Sequence, residues 1–73
     1  MVDTKRLMGL IIGAGYNQST LAEEAGISKN TLNQKINNKS DFKTGEIETI
    51  CNILGIKKAQ DKVDIFLCNT SQK

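Results

Sequence analysis

Lys29, Asn30, Thr31, Asn33 and Gln34 place three carboxamides, a hydroxyl and an ammonium group within six consecutive residues. A carboxamide presents a donor beside an acceptor, the complement of the N6/N7 edge of adenine, and an ammonium group donates to O6 and N7 of guanine. This is the chemistry of recognition, not of bond-making. The rest of the sequence supplies no catalytic set. It has no histidine, and neither Cys51 nor Cys68 has the histidine partner of a thiol nucleophile. Glu23 and Glu24 are adjacent on one exposed helical surface and cannot converge on a reaction centre. Two cysteines without C-x-x-C spacing make neither a zinc site nor a disulfide framework. The expectation is a protein that is no enzyme, with no metal, cofactor or small-molecule substrate.

The elements that must carry these side chains follow from caps, glycines and apolar spacing. Asp3 or Thr4 can cap a first helix to about Ala14, with Leu7, Leu10, Ile11 and Ala14 as one buried stripe. Gly15 stops it. Gly9 and Gly13 form G-x-x-x-G, read as close approach of a neighbouring helix because no membrane span surrounds it. Asn17 caps a second helix, Gln18 to Ala25, with Leu21, Ala22 and Ala25 inward. Gly26 stands where the chain turns sharply, Ile27 plugs the corner, and Ser28 caps a third helix over Lys29 to about Asn37, held inward by Leu32 and Ile36. Asn37 to Asp41 reads as a polar loop and Phe42 as a core plug. Thr44 can cap a fourth helix to Leu54, with Ile47, Ile50, Cys51 and Leu54 inside. Gly55 ends it and Ile56 follows with a hydrophobic contact. Ala59 to Leu67 suits a short fifth helix, while Val63 to Leu67 alone also suits an extended segment. Residues 69–73 read as a flexible polar tail after a single domain over 1–68.

With 73 residues, no proline and little aromatic content, an all-α fold of four or five short helices is the expected solution. No stretch approaches the ~20 apolar residues of a membrane span. Reduced cysteines and the lack of a signal peptide point to the cytoplasm. The net charge is only +2, but its distribution is uneven. Residues 29–43 carry Lys29, Lys35, Lys39 and Lys43 against Asp41, a net +3, and the remainder sums to −1. A basic stripe beside an amide-rich face is the footprint of a nucleic-acid binder; the alternative is a merely solvated surface.

The run Q-x-x-L-A-x-x-x-G-I-S-x-x-T-L, from Gln18 to Leu32, resembles the helix-turn-helix of the lambda-repressor-like (Cro/CI, XRE-type) regulators. The later N-N-K-S-D-F and E-I-x-x-I-C-x-x-L-G-I are similar to small phage Cro-like proteins, and the likeness spans about residues 4 to 56. It implies a compact lambda-repressor-like DNA-binding domain with its helix-turn-helix at helices 2 and 3. By this resemblance Gln18 binds a phosphate, Lys29, Asn30 and Gln34 reach base edges, and Asn38, Lys39 and Ser40 grip the DNA backbone. Thr31 and Asn33 join the base-reading group, and Asn17, Ser28 and Lys43 the phosphate group. The sequence departs from the family at Lys35, where an apolar residue is usual.

The implied function is a Cro-like repressor of a phage lytic/lysogenic switch, with helix 29–37 in the major groove of a double-stranded operator. Arg6, the one arginine, lies outside this face. The amides therefore predict half-sites read through A·T pairs, with guanine left to Lys29. A second reading is a modulator that binds the opposing phage repressor, with or without DNA. Met8, Ile12, Val63, Ile65, Phe66 and Leu67 form an apolar surplus that would either close the core or join a homodimer.

Overall fold

The computed structural model describes residues 1–67, which form five helices: α1 (Thr4–Gly13), α2 (Gln18–Ala25), α3 (Lys29–Ile36), α4 (Thr44–Leu54) and α5 (Ala59–Phe66). The all-α expectation holds, and Val63 to Leu67 resolves as the end of a helix and its cap, not as extended chain. Cys68 and the expected tail lie outside the described residues.

The core gathers Leu7 and Ile11 from α1, Leu21 and Ala22 from α2, Leu32 and Ile36 from α3, Ile50 and Cys51 from α4, and Ile65 and Phe66 from α5, closed by Val2 and Ile56. Each helix thus contributes a pair of side chains one turn apart or adjacent. That is the narrow stripe a short amphipathic helix can bury. Phe42, half-buried, meets Phe66 edge-to-face with ring centroids 5.3 Å apart, the plug the sequence suggests.

Three expectations need correction. The α1 stripe is narrower than predicted: Leu7 and Ile11 are fully buried, but Leu10 is 37% exposed and Ala14 is exposed. Gly9 and Gly13 face open space, with nothing within 4 Å of a Cβ added at either, so no helix approaches the G-x-x-x-G. Thr44 is inside α4 and does not cap it. Instead the Glu46 carboxylate, at the third position, accepts from the Lys43 backbone N–H at 2.9 Å. The apolar surplus also divides. Ile65 and Phe66 enter the core and Met8 packs at its edge, whereas Ile12, Val63 and Leu67 stay exposed.

The turn between α2 and α3 is set by Gly26, at φ +77, which lets Ile27 N–H reach back to Ala22 O at 3.0 Å. Only glycine occupies that conformation without strain. The end of α3 is built the same way with a different residue. Asn38 has φ +63, its N–H bonds Lys35 O and the Lys39 N–H bonds Gln34 O at 2.8 Å. This is the paired hydrogen-bond pattern that closes a helix on a left-handed residue.

Residues 2–4 lace these pieces together. The Asn38 amide accepts from Val2 N–H at 2.7 Å and donates to Val2 O at 3.0 Å, behaving like one rung of a strand pair. The Thr4 hydroxyl donates to Ile36 O at 2.7 Å, and Asp3 N–H donates to Ile65 O at 2.7 Å. The start of the chain is therefore bonded to the end of α3 and the end of α5. Arg6 adds surface pairs to Asp61 and Asp64 on α5, at 3.6 and 3.9 Å.

Candidate nucleic-acid interface

The outer face of α3 sorts into side chains that are already bonded and side chains that are not. Lys29, Asn30 and Gln34 are exposed and make no side-chain hydrogen bond or ion pair among the described residues. Ser28 caps α3, accepting from Thr31 N–H at 3.0 Å and donating to the Thr31 hydroxyl at 2.8 Å. Thr31 is half-buried and its oxygen is committed to that contact. Asn33 donates from Nδ2 to Gln18 Oε1 at 2.9 Å, and Gln18 Nε2 in turn lies 3.6 Å from Met8 Sδ. Gln18 is thus held between α1 and α3 at the first position of α2, where the positive end of the helix favours an anion. Asn17 caps that helix through a reciprocal pair with Thr20, both bonds at 2.9 Å.

Two of the expected contact residues and one counted charge are bonded within the fold. Asn33, expected to read bases, uses one amide N–H on Gln18 and so orients that neighbour. Asn38, expected at a phosphate, has both polar atoms of its amide on the Val2 backbone. Lys35, counted in the basic stripe, is only 7% exposed and forms an ion pair with Glu46 that ties α3 to α4. The inward turn of Lys35 explains how the helix accommodates a cation where an apolar residue is usual. Its methylenes pack and its ammonium meets a carboxylate, which the low dielectric makes obligatory. The Lys35 hydrogen bond, then the Lys43 N–H, hold the Glu46 carboxyl below its ordinary value. The basic stripe outside the fold is therefore Lys29, Lys39 and Lys43 against Asp41.

Lys39, Ser40 and Lys43 are exposed on the loop that follows α3. Next to them is a feature the sequence reading missed. Helix α4 starts at Thr44 with no side chain accepting from its first turn, leaving the Thr44, Gly45 and Glu46 amides without a capping acceptor. Uncapped amides at a helix N-terminus beside a lysine suit a phosphate oxygen. The signal for it was present: Glu46 three residues after Lys43 is half of a capping box and sets the boundary one residue earlier than Thr44. A shallow groove lined by Met8, Ile12, Asn17, Gln18, Lys29 and Asn33 runs between α1 and the start of α3. Ile12, 66% exposed, stands at its rim.

Cys51 is fully buried and burial pushes its thiol pKa up, the opposite of an activated nucleophile. Among the described residues no three His, Cys, Asp or Glu side chains come together as a metal site, and no helix is long and apolar enough to cross a membrane.

The model of the Cro/C1-type HTH DNA-binding domain matches residues 6–60. The chain belongs to that family. Its helix-turn-helix is α2, the Gly26 turn and α3, and it is a DNA-binding domain of the transcription-regulator type. No curated protein and no solved structure matches the chain.

Proposed function

We propose that this Cro/C1-type domain is a sequence-specific repressor that lays α3 in the major groove of an operator. The observation that carries the reading is the sorting of polar side chains on the helix-turn-helix. Lys29, Asn30 and Gln34 alone of the expected readers are exposed and unbonded, while their neighbours are engaged in building the helix that presents them. Asn30 and Gln34 suit adenine and Lys29 suits guanine, so half-sites rich in A·T pairs are the preferred target. Gln18, Lys39, Ser40, Lys43 and the open first turn of α4 grip phosphates on either side.

Three outward lysines give one copy a modest, salt-sensitive affinity. Two copies on a palindrome supply the rest, which is the arrangement expected of a homodimeric regulator. The resemblance to small phage Cro-like proteins extends the proposal to the switch between lytic and lysogenic growth, inside the bacterial host. Selection from a random duplex library tests the reading. Recovery of A·T-containing half-sites supports it; recovery of G·C-only half-sites, or no enrichment, overturns it. Lys39→Ala should weaken binding to all sequences alike and reduce the salt slope by about one.

A further inference from the structure

A second groove lies across α1 from the DNA-binding face. Leu10 and Ile12 are two residues apart, roughly 200° around the helix, so they look in nearly opposite directions. Ile12 rims the groove beside Lys29 and Asn33, whereas Leu10 lines one between α1, the α4–α5 turn and α5. The floor of this second groove is apolar: Leu10, Leu54, Ile56 and Ile65. Leu10 is more than a third exposed although its side chain belongs to a helix that buries Leu7 and Ile11 completely. The rim is cationic. Lys57 and Lys58 are exposed and make no ion pair among the described residues, and Arg6 offsets the one acid of the lining, Asp61. Lys58 is also the N-cap of α5, and no side chain caps that helix, so its first-turn amides add to the positive end.

We infer that this groove docks an acidic, apolar segment of a partner protein. The charge decides the occupant. Arg6 is matched by Asp61 of the lining and by Asp64 behind it, so the unmatched cations at the groove are Lys57 and Lys58, in a chain whose residues outside 29–43 sum to a net negative charge. An apolar segment alone would leave Lys57 and Lys58 uncompensated at its edge, and a second copy of this cationic rim would repel the first. An extended segment alternating apolar and acidic residues puts its apolar side chains on the Leu10–Leu54 floor and its carboxylates within reach of Lys57, Lys58 and the α5 N-terminus. Because the groove faces away from α3, the partner and DNA bind together. This goes beyond the DNA-binding reading and does not depend on it.

The probe is a blocked hexapeptide of alternating leucine and aspartate, titrated into the isotope-labelled full chain. Two controls replace its aspartates by asparagine or its leucines by serine. Amide shifts should concentrate at Leu10, Leu54, Lys57 and Lys58, and each control should bind at least about tenfold more weakly. Lys57→Gln/Lys58→Gln should weaken the acidic peptide about tenfold and leave the asparagine control unchanged. Leu10→Ser provides an independent variant that alters the floor and not the charge. Shifts that map to Lys29 and Lys39 would mean that the peptide merely imitates a nucleic acid, and overturn the proposal. So would equal affinity for all three peptides, or concentration-dependent self-association that the peptide does not displace. Failure of DNA binding with the groove shifts intact would strike only the function proposed above.

Discussion

The outward face of α3 and the end of the helix use the same side-chain types for opposite purposes. The outward face presents Lys29, Asn30 and Gln34 unbonded. The end engages nearly every polar group internally: Lys35 with Glu46, the Asn37 amide with Asn33 O, Ile36 O with Thr4, and Asn38 with Val2. A lysine or an asparagine is therefore a reader or a strut depending on the angle at which the helix turns it. The difference teaches that a recognition helix needs its own fixation. A helix of eight residues has too little intrinsic stability to hold a reading face in register. The ion pair and the two tethers at its end supply that rigidity.

The comparison can be broken most forcefully at Glu46. Glu46→Ala strands the Lys35 ammonium in the interior and should cost about 3 kcal/mol in denaturant unfolding, whereas Lys35→Met should cost under about 1 kcal/mol. Equal losses would mean that the pair is held for its packing alone. On the reading face, Asn30→Ala and Gln34→Ala should each cost about 1–3 kcal/mol in affinity for the selected site. Their unfolding free energies should stay within about 0.5 kcal/mol of the parent, as expected at exposed, unbonded positions. A large drop in stability would move these residues from reader to strut.

Asn38 sharpens the contrast between reader and strut, because its backbone and its amide have separate duties. Asn38→Gly keeps the left-handed conformation and loses only the Val2 bonds, a cost of about 1 kcal/mol. Asn38→Ala also incurs the left-handed penalty, raising the loss to about 2 kcal/mol. Neither should change which bases are preferred in a library selection. The smallest effect concerns acid. Glu46 is held below its ordinary value near 4.5, so its contribution to stability is complete above that pH. It drains away as pH falls through the depressed folded value. Denaturation curves between about pH 3 and pH 7 should show this slope in the parent and a shallower one in Glu46→Gln.

Much of the fold was legible because its determinants are local. Asn17, Gly26, Ser28 and Gly55 each act within one turn of a helix end, and the spacing of Leu21, Ala22 and Leu32 fixes which faces meet. The site was legible only as a set of candidates. That Lys35 turns inward depends on Glu46, eleven residues on, and that Asn38 is a strut depends on Val2, thirty-six residues back. No local pattern marks either pairing. Leu10 misled for a related reason: periodicity places it on the flank of the α1 stripe, and whether a flank is covered depends on how α5 crosses it. The open start of α4 is a different kind of miss, since Glu46 marked it and Thr44 offered a more familiar cap.

The lacing of residues 2–4 has a kinetic consequence. Helix ends and the α2–α3 turn close loops of a few residues, but Thr4 to Ile36 and Val2 to Asn38 close loops of 32 and 36 residues, and Asp3 to Ile65 closes a longer one. Bonds that enclose so much chain cost the most entropy to make and are the last to form on the way to the native state. They are also the first to let go under mild destabilisation, before the core opens. In native-state hydrogen exchange the Val2 and Asp3 amides should accordingly exchange through a partial opening, ahead of the Ile11 and Ile50 amides. The end of α3 then has a release catch whose rate is set by the far end of the chain.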